Sequence, residues 1–598
     1  MIHKFHIPVL GLGFSIDTPL KVARYGISSV VSVVDDDLTE RMREYHCTQN
    51  GETFVHISKN QPDYRSRRIT AYLNLLNRMV NRQFEVLKNQ PFEKGTDIKR
   101  YFDLLPESSI LRQGYDLMLE TPPNNDRHMF EDVLRKGMTK GAIDVNIMAK
   151  VDKVNFDKRG SSLGDENTDA LAALRGFAMS DLESSVILSA GMNPRLYSHL
   201  ETFADFMPDS SGRFKKKITL KVSDFRSAFI QAKFLAKKGL WVSELRIESG
   251  LNCGGHAFAT DGFLLGPILE EFKRRRMEMQ DELYLVFHEA LLKKGVALSN
   301  MPPQKISVQG GIGTADENNF LLKHYQLDAT GWGSPFLLVP EATNVDNETL
   351  KHLGEATSDD FYLSNSSPLG VPFNSFKGST SEAQRDERIK NGRPGSPCTK
   401  KYLISNTEFT DEPICTASRK YQHLKISQLK TLNLAPEEYQ QQVNAVTEKI
   451  CLCEGLCASV YLKDGISRPK ENKAVAICPG PNLAYFSRAY SLEEMVKHIY
   501  GSLDLLRSVK RPHMFVNELN LYIDYLQKEL SNHIKTLNEK KHKYLLKFKS
   551  ELEQGVEYYK QLCLQLTTQK QKPLEILEDL YLAEKKLSAI VVPCVCER

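Results

Sequence analysis

Gln309-Gly310-Gly311-Ile312-Gly313-Thr314 and, about twenty residues later, Gly331-Trp332-Gly333-Ser334 each stand at the end of a short candidate strand. Glycine lets backbone N–H groups approach an anion closely, and a helix starting just after such a turn adds a favourable dipole. In a closed parallel β/α barrel the phosphate grip lies after the seventh and eighth strands. A pair of ordinary tight turns uses the same glycines. The deciding question is whether these two turns are the last of eight.

Working outward, the chain to about residue 355 alternates short strand-like runs with helical stretches, the pattern of parallel β/α architecture. Eight candidate strands are read at residues 7–14, 28–34, 142–148, 184–191, 217–223, 243–249, 305–311 and 328–334. Several are near-continuous apolar runs, as expected of strands covered on both faces. The clearest intervening helices are 225–238, 265–294 and 315–325. The fold class read from this is α/β, a (β/α)8 TIM barrel, which needs only about 250 residues. The remaining chain is divided into a helical insertion at about 50–140 within the 1–355 barrel, a Cys-rich irregular subdomain at 356–490 and a C-terminal helical region at 491–598.

In the last region apolar residues recur at Leu519, Ile523, Leu526, Leu530, Leu537, Tyr544, Phe548 and Leu552, in steps mostly of three, four or seven. Such a stripe needs a partner surface. The expectation is a homo-oligomer formed through these helices, with docking on the same chain's barrel as the other reading.

Composition bounds the function. With 598 residues, 41% hydrophobic and 26% charged, the chain is large enough for two or more folded domains. Its net charge of +4 arises from 79 basic and 75 acidic residues, a balance unsuited to gripping nucleic acid. No apolar run approaches the ~20 residues of a membrane helix, so no membrane span is expected. The start lacks the small-residue cleavage pattern of a secretory signal, and the expectation is a cytoplasmic chain. Eleven cysteines, bunched late in the sequence, suit a reduced compartment better than a disulfide framework.

The second chemical signal is Glu248-Ser249-Gly250-Leu251-Asn252-Cys253-Gly254-Gly255-His256, directly after the sixth strand. Catalytic groups of a barrel sit on such loops, and this one joins a carboxylate, a glycine pair and an imidazole. The third is Cys398, Cys415, Cys451 and Cys453. Four soft thiolates from irregular loops can hold zinc or an iron–sulfur cluster, although one residue between Cys451 and Cys453 is tighter than a zinc ribbon. Buried reduced cysteines without metal are the competing reading.

The loop from Glu248 to His256 resembles the glycine-glycine-histidine loop of the nitronate monooxygenase (2-nitropropane dioxygenase) family, FMN-dependent enzymes with a (β/α)8 barrel. Ile7 to Gly13, Thr18 to Ala23, Val145 to Ile147, Leu220 to Ser223, Gly310 to Ile312, and Gly333 to Leu337 with Pro340-Glu341 are similar to successive elements of that barrel, in order. The resemblance implies bound FMN. Gly310, Gly311, Gly313, Gly333 and Ser334 would hold its phosphate. Asn146, Lys221 and Glu248 would lie near the ring or ribityl chain, with Gly11, Gly13, Gly254 and Gly255 completing the cofactor contacts. His256 would be the catalytic acid/base and Lys221 would stabilise negative charge on the reduced flavin. The implied reaction is oxidation of a small carbanion-forming, nitronate-like substrate. After His256 the chain reads Ala257-Phe258-Ala259, where many family members have a basic or small residue and then glycine, so the substrate pocket departs from the family's.

Gly310 to Thr314 resembles equally the enoyl reductases of polyunsaturated fatty-acid and polyketide synthases. That alternative implies NADPH and an acyl-carrier partner. A non-catalytic barrel scaffold is the third reading; it has no physical need for the Glu248 to His256 constellation.

Overall fold

The computed structural model describes residues 2–122, 125–148, 152–156, 159–254, 261–533, 538–568 and 574–593. Among these, eight parallel strands close into a barrel in sequence order: β1 (Phe5–Ile7), β2 (Ser28–Ser32), β3 (Ile143–Ile147), β4 (Ser185–Leu188), β5 (Lys217–Val222), β6 (Val242–Glu248), β7 (Lys305–Gln309) and β8 (Ala329–Gly331). Closure comes from β1 pairing with β8, His6 opposite Gly331. The glycine turns at 310–314 and 331–334 therefore do end the last two strands of a TIM barrel.

The strands are shorter than the sequence pattern suggests, and the first is displaced. The apolar run from Ile7 to Phe14 pairs only through Ile7, because Pro8 has no N–H to donate and residues 11–16 turn instead of extending. The insertion between β2 and β3 is helical as expected, with Tyr64–Lys88 its longest element. That helix lies on the barrel flank against Asp36–Gln49 and Asp169–Ala178.

The 356–490 region is more regular than its composition suggests. It holds helices Thr380–Lys390, Arg419–Thr431, Pro436–Thr447 and Leu452–Lys463, and a hairpin of Phe361–Ser364 with Phe373–Phe376. Most of these helices carry no broad apolar stripe, which is why periodicity misses them. The region has a small core of its own, in which Phe373, Leu403, Cys415, Ile450, Leu452 and Cys453 pack together.

The C-terminal helices Met514–His533, Glu539–Thr568 and Leu577–Ser588 join the barrel's core instead. Glu518, 2% exposed, accepts hydrogen bonds from the Ser249 hydroxyl (2.7 Å) and the N–H groups of Gly250 (3.2 Å) and Leu265 (2.7 Å). A Cβ on Gly250 would lie 2.6 Å from the Tyr522 ring, so glycine there is what lets the helix seat on the β6 loop. Leu519, Leu526, Phe548 and Leu552 are buried within the chain. The stripe expected to join subunits is thus covered by this chain's own barrel, and Leu537 lies outside the described residues.

Candidate functional site at the barrel mouth

Side chains alternate across a strand, so β6 sends Leu245 and Ile247 to the helical layer and Glu244, Arg246 and Glu248 into the barrel. Deep inside, the Arg246 guanidinium pairs with Glu244 at 2.8 Å. Burial opposes charge on Glu244, but Arg246 and the Ser307 hydroxyl outweigh it and hold the carboxyl down at about 2. Burial and the neighbouring Arg246 charge depress the His6 imidazole to about 3, so it is neutral in the barrel. The interior is a fixed polar column that leads upward to Glu248.

At the carboxyl end Glu248 Oε1 collects three donors: the Asn252 amide at 2.6 Å, the Gln309 amide at 2.8 Å and the Lys221 ammonium at 3.1 Å. Register places them, since Glu248 sits opposite Gln309 across β6 and β7 and Lys221 opposite Arg246 across β5 and β6. Lys221, Glu248 and Asn252 open onto a cavity whose wall also includes Gly11, Asn146 and Gly254. Asn146 Oδ1 is a buried acceptor with no partner. An unpaired buried acceptor costs about 1–3 kcal/mol, which a bound N–H donor would recover. The far wall is apolar and comes from the Cys-rich region, through Phe373, Leu403, Leu452 and Leu456.

Of the residues singled out in the sequence, Gly11, Asn146, Lys221, Glu248 and Gly254 meet at this cavity. Gly255 and His256 lie outside the described residues. Gly13 faces the helix Leu452–Lys463, its N–H donating to the Leu456 carbonyl at 2.9 Å. Gly310, Gly311, Gly313, Gly333 and Ser334 are not part of the cavity wall. Asn252 and Gln309 are the members that sequence reading missed. Asn252 stands inside the Glu248 to His256 loop but carries no catalytic signature, and Gln309 opens a stretch in which only the glycines signal a function.

The glycine turns are packed against the chain itself. The Gly313 N–H donates to Glu317 Oε2 at 2.8 Å, and the Met514 N–H to Glu317 Oε1 at 2.6 Å. Arg511 pairs with the same carboxylate at 2.6 Å and donates to the Gly311 carbonyl at 2.6 Å and to Asn482 Oδ1 at 2.9 Å. Asn482 in turn donates to the Ile312 carbonyl at 2.9 Å. Burial works against the Glu317 charge, but Arg511 and the surrounding donors keep its carboxyl below the ordinary range. The anion at the start of helix Ala315–His324 is therefore the chain's own. On the other side the Gly254 N–H donates to the Cys478 carbonyl at 3.0 Å, and a Cβ on Gly480 would lie 2.7 Å from Ser334 Oγ. The segment Cys478 to Asn482 lies across the turns where a phosphate was expected.

A flavin is thus matched at one end only. The cavity offers a cation, a carboxylate and a free amide acceptor suited to a polar ring, while on the phosphate side the Gly313 N–H is spent on Glu317, Arg511 holds the Gly311 carbonyl and Gly480 packs on Ser334.

The four cysteines converge, Cys398, Cys415, Cys451 and Cys453 bordering one small cavity beneath the apolar wall. No three His, Cys, Asp or Glu side chains among the described residues stand ready-grouped for an ion. Cys594 and Cys596 lie outside those residues. No helix among the described residues is long and apolar enough to cross a membrane.

No family model matches the sequence, and a search of curated proteins finds no significant match. Among solved structures, the enoyl reductase domain of MlnA from the macrolactin biosynthesis cluster of Bacillus amyloliquefaciens aligns over 69% of this chain and 87% of its own, at 14% identity and a TM-score of 0.33. A FabK mutant from Thermotoga maritima aligns over 67% and 84%, at 10% identity and a TM-score of 0.29. The nitroalkane oxidase from Streptomyces ansochromogenes aligns over 64% and 87%, at 11% identity and a TM-score of 0.28. The fold assignment rests on the strand order and pairing of this chain itself.

Proposed function

We propose that this chain is a flavin-dependent oxidoreductase acting on a small molecule in the cavity at the barrel mouth. The observation that carries the reading is the Lys221–Glu248–Asn252 cluster beside the unpartnered Asn146 Oδ1, on the face where barrel enzymes keep their chemistry. The flavin, FMN by the resemblance, supplies two-electron transfer when bound. Asn146, with its open Oδ1 acceptor, and Lys221, with its positive charge, would hold the ring side of that group and could stabilise negative charge there. Glu248 fixes the Lys221 and Asn252 side chains in position. His256, assigned from sequence, exchanges the substrate proton.

A nitronate-like substrate follows from the loop resemblance. A second reading, reduction of a carrier-bound enoyl chain with NADPH, is favoured by the apolar far wall of Phe373, Leu403, Leu452 and Leu456, which suits an acyl tail. Anaerobic mixing separates the two. Bleaching of the bound flavin by an alkyl nitronate supports the first; bleaching by NADPH with reoxidation by an enoyl thioester supports the second. Protein that holds flavin but reacts with neither substrate class contradicts both.

A further inference from the structure

We propose that His6, on the first barrel strand, donates its Nε2 proton to Gln309 Oε1 and through that amide holds the Glu248 carboxylate in place, which makes it a positioning residue of the barrel mouth. This builds on the proposed function, which gives the fixed carboxylate its use. Strand register sets the row. Glu248 stands opposite Gln309, Gln309 opposite Gly331, and Gly331 opposite His6, so the neighbouring strands β6, β7, β8 and β1 contribute one residue each to a single level. The interior of such a barrel is ordinarily filled by bulky branched apolar side chains. Here the level holds a carboxylate, an amide, an imidazole and, at Gly331, no side chain.

The missing side chain lets the two residues flanking it meet. A Cβ on Gly331 would lie 2.6 Å from Gln309 Cβ and 2.9 Å from His6 Nε2, so the imidazole reaches across Gly331 to the root of the Gln309 side chain. Both are buried, Gln309 at 1% exposure and His6 at 3%. The Gln309 amide has a fixed sense, because its Nε2 donates to Glu248 Oε1 at 2.8 Å and to Asn252 Oδ1 at 3.4 Å. Reversing it would set the amide oxygen against a carboxylate oxygen with no proton between them. Gln309 Oε1 is therefore turned away from Glu248, and it is buried without a partner, as is His6 Nε2. One is an acceptor, and the other is a donor in one of the two neutral tautomers of the ring. Buried groups of such complementary kind are costly to leave apart.

The other charged groups of the interior are committed. Arg246 pairs with Glu244 at 2.8 Å, Glu244 also accepts from the Ser307 hydroxyl, and Lys221 pairs with Glu248 at 3.1 Å. Burial and the Arg246 charge hold the imidazole down at about 3, so it is neutral and carries one N–H. A donor without charge serves this role in a closed interior at any ordinary pH. Without it the Gln309 amide is free to turn. Oxygen then meets oxygen, and Glu248 loses its hold on Asn252 and Lys221.

Nitrogen NMR of the full-length protein carrying isotope-labelled histidine tests the tautomer without any flavin, the His6 signals being those absent from His6→Gln. The expected result is a protonated Nε2 and a bare Nδ1, both unchanged between about pH 5 and 8. A bare Nε2, or a ring that titrates in that range, overturns the inference. Positioning is read from riboflavin affinity. His6→Phe keeps a ring but no donor and should lose about tenfold, whereas His6→Gln, whose amide N–H can stand in for Nε2–H, should stay within about threefold of wild type. Equal affinities in the two variants, whether both kept or both lost, overturn the positioning role. Where His6→Phe does not fold, the NMR result decides. Wild type that binds no riboflavin removes the flavin reading and leaves the tautomer to stand or fall by the NMR result.

Discussion

The barrel and the region above its mouth are built by different means. The barrel, with the C-terminal helices on its flank, shares one large hydrophobic core, and its polar groups are held by strand register. The Cys-rich region adds a small second core, sends other side chains, among them Phe376, Cys457, Val460, Tyr461 and Ile477, into the barrel's core, and is joined to the barrel by buried polar anchors as well. The main anchor is Asp35, at the start of helix Asp36–Gln49, which pairs with Lys400 and accepts from Tyr402 Oη at 3.0 Å. Core packing runs from the barrel floor of the cavity into helix Leu452–Lys463, whereas Phe373 and Leu403 of the wall belong to the small second core. Removing an ionic contact should therefore loosen the Cys-rich region more than the barrel.

The largest effect is expected from truncation before Pro512. Removing the helices exposes the β6 loop and strips Glu518 from Ser249, Gly250 and Leu265. The truncated chain is expected to aggregate. A soluble, folded barrel would place the stripe's partner elsewhere, and light scattering with circular dichroism decides between the outcomes.

Next comes the anchor. Asp35→Asn or Lys400→Met leaves one member of a buried ion pair uncompensated, at a cost of about 3–5 kcal/mol. The loss should appear as an early urea transition confined to the Cys-rich region, with protease cleavage in residues 356–490. A single, unsplit transition would show that the two regions unfold as one body. Burial alone would raise the Asp35 carboxyl; Lys400, the Leu38 N–H and Tyr402 reverse this and hold it at about 2. Because the folded value lies below the ordinary carboxylate range, the anchor contributes fully above about pH 4 and is lost as pH falls towards 2. Acid titration of wild type should release the region in that window, and Asp35→Asn should remove that dependence.

A smaller effect, on chemistry and not on fold, is predicted for His256→Asn: turnover lower by about 10²-fold with the flavin spectrum intact. Lys221→Met should lower turnover and also perturb the spectrum, because Lys221 belongs to the barrel cluster. Unchanged turnover in both would remove the proposed acid/base and charge-stabilising roles.

The same contrast explains what could be read from sequence. Strand β6 announces itself, because Ser243-Glu244-Leu245-Arg246-Ile247-Glu248 alternates faces and leads straight into the glycine loop. Eight strands in order made the TIM barrel legible and Glu248 stood out in the loop after the sixth, whereas Asn146 and Lys221 were marked only by the family resemblance. Gln309 escaped because a register partner is visible only once β6 and β7 are paired. The occupation of the glycine turns was hidden for a different reason. Asn482 and Arg511 meet Ile312 and Gly311 across 170 and 200 residues of chain, and no local pattern encodes such a contact. Pro479-Gly480-Pro481 reads simply as a loop. The cysteines were legible as a group by residue type, whereas their convergence on one small cavity depends on turns that only the fold brings together.

Under the proposed function the barrel mouth would seat a flavin by its ring, with the segment Cys478 to Asn482 packed against the glycine turns. Titration of flavin-free protein with riboflavin and with FMN, followed by quenching of flavin fluorescence, tests it most directly. The account predicts saturable binding of both at affinities within about threefold, and loss of roughly tenfold for both in Asn146→Leu, where one hydrogen bond to the ring is removed. FMN bound a hundredfold or more tightly than riboflavin would mean that the turns grip the phosphate after all, and failure of both to bind would contradict the flavin site itself.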